Sequence, residues 1–157
     1  MTKEHPIAPL QPPGNAAAID EPPRSKIYTI GIAGGSGAGK STVARKVFHA
    51  LGGATNVTYL LHDSYYRDQS HKDVEERCRT NYDHPEALET ELMLRHVRAL
   101  KRGEVVEVPT YDFASHNRAR NAVQLAGPRP ILLVEGILIL CEPELVKEMD
   151  LTVFVVS

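Results

Sequence analysis

"GGSGAGKS", residues 34–41, is the stretch whose reading decides the fold. Four glycines in eight residues let backbone N–H groups close on a bound anion, because glycine adopts positive φ and has no side chain to hold the ligand off. Gly34, Gly39, Lys40 and Ser41 fit G-x-x-x-x-G-K-[ST], the phosphate-binding P-loop, whose Lys reaches the β and γ phosphates and whose hydroxyl ligates Mg2+. The flanks agree. Ile27–Ala33 is rich in β-branched residues and predicts a strand; Val43, Val47 and Leu51 recur at helical spacing and predict a helix starting near Lys40. The N-terminus of that helix adds its partial positive charge. Gly34, Gly35, Ser36, Gly37, Ala38, Gly39, Lys40, Ser41 and Thr42 are therefore the candidate cradle for a nucleotide's phosphates, with Ser41 a candidate metal ligand.

Working outward, Gly52-Gly53 stops the first helix and Val57–Leu61 reads as a buried parallel strand delivering His62-Asp63 to its carboxyl end. A polar stretch, 67–81, follows. Pro85 opens a predicted helix with Leu88, Leu92, Met93, Val97 and Leu100 on one side, closed by Gly103. Val105–Pro109 and Tyr111–Phe113 predict short extended segments, Pro109 favouring an edge. Ile131–Val134 predicts another buried strand, ending at Glu135-Gly136; a short helix over 142–149 leads to a fourth strand over 151–156. Strands alternating with helices give an α/β fold with a mostly parallel sheet, whose ligands lie beyond the strands' carboxyl ends. Lys40, Asp63 and Glu135 each follow a different strand at that edge.

Composition bounds the rest. The 157 residues, 42% hydrophobic, suffice for one domain. Residues 1–25 hold six of the eleven prolines and no periodic apolar face, so they are expected to be a disordered tail, with the folded domain over 26–157. No signal-peptide or import pattern is visible, which makes the expected compartment cytoplasmic, with no membrane partner. A net charge of −2 gives no footprint for nucleic acid. Cys78 and Cys141 read as free thiols, and the seven histidines show no zinc-site spacing.

Phosphoryl transfer needs positioning and charge neutralisation more than covalent help. Lys40 would neutralise phosphate charge. Asp63 fits a general base on an acceptor hydroxyl and equally an Asp capping the turn after a strand. Glu135 fits a metal-site acid or a carboxylate solvated at the sheet rim. Tyr65, Tyr66, Tyr82, Tyr111 and Phe113 would stack on a flat ligand or pack in the core; His116 and Arg118 read on their own as exposed loop residues.

Together, "GIAGGSGAGKST", "HDSYYRD", "TNYDHPEAL", "VPTYDFASHNR" and "LLVEGIL", in this order and spacing from about residue 27 to 155, resemble the uridine kinase (uridine–cytidine kinase) family. The resemblance implies a P-loop kinase-type doubly wound parallel sheet and transfer of phosphate from ATP, or GTP in its place, with Mg2+, to the 5′-hydroxyl of uridine or cytidine in pyrimidine salvage. It implies Asp63 and Lys40 as catalytic residues and Glu135 with Ser41 at the metal. Tyr66, Asp83, Tyr111, Phe113, His116 and Ile137 would contact the nucleoside, Asp83 through the ribose diol. It also implies a homo-tetramer. Members of the family continue past the fourth strand with an Arg-rich lid helix, a fifth strand and a last helix. The sequence here ends at Ser157, so the fold is expected to lack the C-terminal lid and last strand, and a nucleotide-binding module impaired in catalysis is the alternative reading.

Overall fold

The computed structural model describes residues 26–35 and 37–156, together with the backbone but not the side chain of Asn121. The expected tail over 1–25, the cradle residue Ser36 and the last residue Ser157 lie outside the described residues. Strands β1 (Tyr28–Gly34), β2 (Val57–Leu61), β5 (Ile131–Glu135) and β6 (Leu151–Val155) form an all-parallel sheet in the order β2-β5-β1-β6. Strands β3 (Val106–Asp112) and β4 (Asn117–Ala126) pair antiparallel as a separate hairpin. The helices are α1 (Lys40–Ala50), α2 (Val74–Cys78), α3 (Thr90–Lys101) and α4 (Pro143–Lys147).

Why β5 sits in the centre follows from its side chains. Ile131–Glu135 has no polar residue before Glu135, and successive residues point to opposite faces, so both faces must be covered. Leu133 joins Ile30, Ile32, Val57, Tyr59 and Leu61 against Ala44 and Phe48 of α1. Leu132 and Val134 join Ala33 and Leu60 on the other face, against Met93, Val97 and Leu100 of α3 and Leu145 of α4. Each of those three α3 side chains is fully buried, so truncating Leu100 to Ala removes about 2–5 kcal/mol of stability.

Several boundaries differ from the sequence expectation. The first strand runs Tyr28–Gly34, one residue later, and the buried stripe of α1 is Ala44 and Phe48, with Val43 and Val47 only partly buried beside it. The helix expected from Pro85 is a single 3-10 turn, Pro85–Ala87, followed by α3 from Thr90; Leu88 falls between them, extended, bridging to Tyr66. The polar stretch 67–81 contains α2, started by an Asp73/Glu76 capping box in which each side chain accepts from the other's backbone N–H, at 2.8 and 3.1 Å. The two extended segments around Pro109 are one strand with a register irregularity between Pro109 and Tyr111. Its partner β4, where Arg118 was expected in a loop, carries Asn, Arg and Ala rather than β-formers; the pairing with β3 overrides its weak propensity. Cys78 and Cys141 are free and exposed.

His62 joins three of these elements. It follows β2, its Nε2 lies 3.0 Å from the Thr90 hydroxyl at the start of α3, and it packs on Gly136 after β5, where a Cβ would meet the His62 Cβ at 2.5 Å. Burial, reinforced by the Lys40 charge, lowers its pKa from 6.5 to about 4. The unfolded chain takes up this proton near pH 6.5 and the folded chain only near 4. Stability from the neutral ring is therefore complete above pH 6.5 and drains away as pH falls towards 4. Urea unfolding at stepped pH should show that this decline, on the order of 3 kcal/mol, shrinks in His62→Gln. Identical slopes in the two proteins would contradict it.

Candidate active site

The site lies at the carboxyl edge of the sheet, where β2 and β5 end level at Leu61 and Glu135 and β1, paired with Glu135 at Ile32, runs on two residues to Gly34. Beyond β1 the glycine loop turns into α1, with Gly37 at φ 78° and Gly39 at φ 83°. A side chain at Gly39 would be strained there, and its αL conformation aims the first-turn N–H groups of Lys40, Ser41 and Thr42 out of the helix end. Its N-cap residue, Gly39, has no side chain to cap that end, and no acidic residue sits in its first turn. Gly34 closes β1, Gly35 and Gly37 are exposed, and the Ala38 N–H donates to the Gly35 carbonyl at 3.2 Å.

Glu135, at the end of β5, is 1% exposed. An ionised carboxylate so deep needs charge and hydrogen-bond partners. Lys40 Nζ donates to its Oε1 at 2.6 Å and Ser41 Oγ to the same oxygen at 3.0 Å; the Tyr59 hydroxyl donates to Oε2. Burial, then the Glu135 charge, holds the Tyr59 phenol well above its usual range, so it stays a donor. The Ser41 and Glu135 oxygens are a hard donor pair. Mg2+ takes one or two protein oxygens and completes its shell with phosphate and water, so this pair fits it. Among the described residues there is no cluster of three or more His, Cys, Asp or Glu that would hold a metal without a substrate.

Asp63 stands in the 3-10 turn His62–Tyr65 that follows β2. Burial pushes its carboxyl above the ordinary 3.8, opposed by the Lys40 ammonium and reinforced by Glu135. The turn leads directly into Tyr66, which begins an aromatic cluster. Tyr66 and Tyr111 have ring centroids 5.0 Å apart, Tyr111 and Phe113 4.7 Å, Tyr66 and Tyr82 5.3 Å. Tyr82 stacks on His116 at 6.1 Å and 28°. His116 adopts φ 50°, in the turn of the β3–β4 hairpin. Asp83 is exposed beside this cluster, near enough that its charge helps raise the Tyr66 phenol after burial and Asp63. Ile137 is half-buried just past Gly136, and its neighbour Leu138 packs on the Tyr66–Leu88–Tyr111 group.

Two features have no counterpart in the sequence reading. One is Tyr59, hidden inside an apolar strand. The other is a polar clamp on the aromatic cluster: buried Asn117 accepts from the Gln69 N–H at 2.7 Å, while the Gln69 side chain accepts from Thr80 Oγ1 at 2.7 Å and donates to the Tyr82 hydroxyl at 3.2 Å. Arg118 ties the same region, donating to Glu89 at 3.1 Å and to the Tyr66 carbonyl at 3.0 Å. No spacing rule marks such isolated polar residues in advance.

Residues 29–157 match the family described as "Phosphoribulokinase / Uridine kinase family". A curated uridine kinase of Alkaliphilus metalliredigens (strain QYMF) is 47% identical over 126 residues, covering 80% of this chain and 60% of the relative. The chain thus spans about 60% of the length of the curated relatives it matches. Among solved structures, a possible uridine kinase from Bacillus stearothermophilus superposes with TM-score 0.60 at 20% identity, covering 83% of this chain and 71% of that one. A protein from Silicibacter sp. TM1040, named for a fructose transport system kinase, gives TM-score 0.67 at 25% identity over 84% and 66%. With a doubly wound parallel sheet, a P-loop and these relatives, the chain belongs to the phosphoribulokinase / uridine kinase family.

Proposed function

We infer that the chain is the core of an ATP-dependent nucleoside kinase that phosphorylates the 5′-hydroxyl of uridine or cytidine. The observation that carries this reading is the place of one short turn: Asp63 stands in His62–Tyr65, between Leu61, which pairs with Glu135, and Tyr66, which begins the aromatic cluster. A glycine-rich loop on one side of that carboxylate and aromatic rings on the other support a nucleoside kinase, which must bring a phosphate and a flat base to one base catalyst.

In this reading the triphosphate lies in the Gly34–Thr42 loop and draws the Lys40 ammonium from Glu135 to its β and γ phosphates. Ser41 and Glu135 would hold Mg2+, which would supply neutralisation of the charge that shifts during transfer. Asp63 accepts the proton of the nucleoside 5′-hydroxyl, whose oxygen bonds to the γ-phosphorus as the bond to the β–γ bridging oxygen breaks, leaving ADP and the nucleoside 5′-monophosphate. The raised pKa of Asp63 suits a base, since proton transfer improves as base strength approaches the working pH. Tyr111 and His116 face the base edge, Phe113 and Ile137 wall it, Tyr66 lies beside the nucleoside, and Asp83 accepts from the ribose 2′ and 3′ hydroxyls. An assembly of several copies and a cytoplasmic setting belong to the same reading. Among the described residues no helix is long and apolar enough to cross a membrane.

A coupled ADP-release assay with uridine, cytidine and a simple sugar tests the acceptor; turnover of the sugar alone would reject a nucleoside. Lys40→Ala should abolish stabilisation of the fold by ATP in thermal unfolding, and undiminished stabilisation would overturn the phosphate assignment. Asp63→Asn should lose about 10²–10⁴ in kcat, and kcat/KM of the parent should fall on the acid side with a midpoint above 3.8. Asp83→Ala should weaken uridine at least about tenfold while leaving ATP affinity within about twofold, as expected for loss of a charge-assisted hydrogen bond. Equal losses for both ligands would exclude a ribose contact.

A further inference from the structure

Tyr59 has no part in the roles above, yet it touches the residue on which they converge. It lies on β2 opposite Leu133, two positions before Leu61, which pairs with Glu135. Residues two apart on a strand share a face, so the Tyr59 ring and the Glu135 carboxylate project to the same side, that of α1. The ring is braced edge-on by Phe48, with centroids 5.9 Å apart at 86°. The side chain is long enough for its hydroxyl to reach along the sheet to Oε2 of Glu135, the oxygen that Lys40 and Ser41 leave alone.

The three donors to Glu135 differ in what a ligand does to them. Lys40 and Ser41 belong to the phosphate loop, and each has a second task once nucleotide and metal arrive. Tyr59 belongs to the core: it is 3% exposed and its ring packs with Phe48 and Leu133, while Arg45 and Asp63 lie near enough for their charges to act on its phenol. It is the donor that keeps hold of the carboxylate when the other two turn away.

Resting on the reading above, in which Ser41 and Glu135 hold the divalent cation, we propose that Tyr59 is a positioning residue of the metal site. Its phenol fixes the rotamer of Glu135 through Oε2 and so presents Oε1 to the cation beside Ser41. Without that bond the carboxylate is free to rotate about its last torsion, and the cation binds a ligand that must first be ordered. Loss of such an outer partner typically weakens metal binding about 10–100-fold.

The test uses the full chain with ADP and Mn2+ as the probe, Mn2+ affinity being read by electron paramagnetic resonance of the free ion. Tyr59→Phe should weaken Mn2+ about tenfold or more while ADP affinity in the presence of EDTA stays within about twofold. Glu135→Gln should weaken Mn2+ as well, and the double variant should be no worse than Glu135→Gln alone, because the phenol acts only through that carboxylate. Val57→Ala, which loosens the same strand without touching Glu135, should leave Mn2+ affinity unchanged. Thermal unfolding verifies that each variant is folded; Tyr59→Met is a second variant without a donor should Tyr59→Phe not fold. Parental Mn2+ affinity in both Tyr59 variants, additive losses in the double variant, or an equal loss in Val57→Ala would each overturn the proposal. Should Glu135→Gln also bind Mn2+ like the parent, the metal-site reading itself falls, so the two failures are distinguishable.

Discussion

A single buried carboxylate organises this molecule. Glu135 sits at the end of the central strand, 1% exposed, and it stays there because an ammonium, an aliphatic hydroxyl and a phenol converge on it from α1 and β2. Removing such a charge from water costs several kcal/mol, which only close partners offset. The constraint reaches into the fold: β5 must lie between β1 and β2 for these donors to meet, and the registers pair Glu135 with Ile32 of β1 and with Leu61, the last residue of β2. The glycine loop is in this sense tied to the sheet by a counter-charge of its own.

A second layer, built on different physics, lies past the strand ends. Tyr66, Tyr82, Tyr111 and Phe113 associate edge-to-face, or tilted in the case of Tyr66 and Tyr111, rather than in parallel stacks, as the ring quadrupoles favour. Their positions come from three separate segments, and polar contacts align them: Asn117 and Gln69 fasten the 67–84 loop to the hairpin, and Arg118 grips the Tyr66 carbonyl. Buried polar groups joined by hydrogen bonds rigidify the segments that they link. The charged half of the site is thus set by the sheet and the aromatic half by a hydrogen-bonded clamp, with Asp63 at the seam.

The parallel sheet was legible in the sequence because its strands are apolar runs and its first loop has chemistry that few other structures need. Lys40, Asp63 and Glu135 could be assigned to one edge from topology alone, since Lys40 opens the helix after the β1 loop, Asp63 lies just past β2 and Glu135 ends β5. What escaped was set by contacts between distant residues. The strand β4 has little intrinsic preference for extension, and Leu88 looked helical because it keeps the period of Leu92 and Met93 while its backbone instead bridges to Tyr66. Tyr59 was indistinguishable from its apolar neighbours in Val57–Leu61, because its hydroxyl gains meaning only from a partner 76 positions away. The family resemblance named the aromatic contacts; the clamp that aligns them has no motif.

The strand order has a consequence for the birth of the protein. Strands β1 and β2 leave the ribosome early, yet neither pairs with the other; each waits for β5, about seventy residues after β2 in the chain. Until Ile131–Glu135 emerges, two apolar strands and the inner face of α1 have no lasting cover. Non-local closure of this kind is slow and leaves sticky surface in view of other chains. The segment that carries Glu135 is therefore also the one that first links β1 to β2, so the carboxylate meets Lys40 and Tyr59 in the same event that pairs those strands.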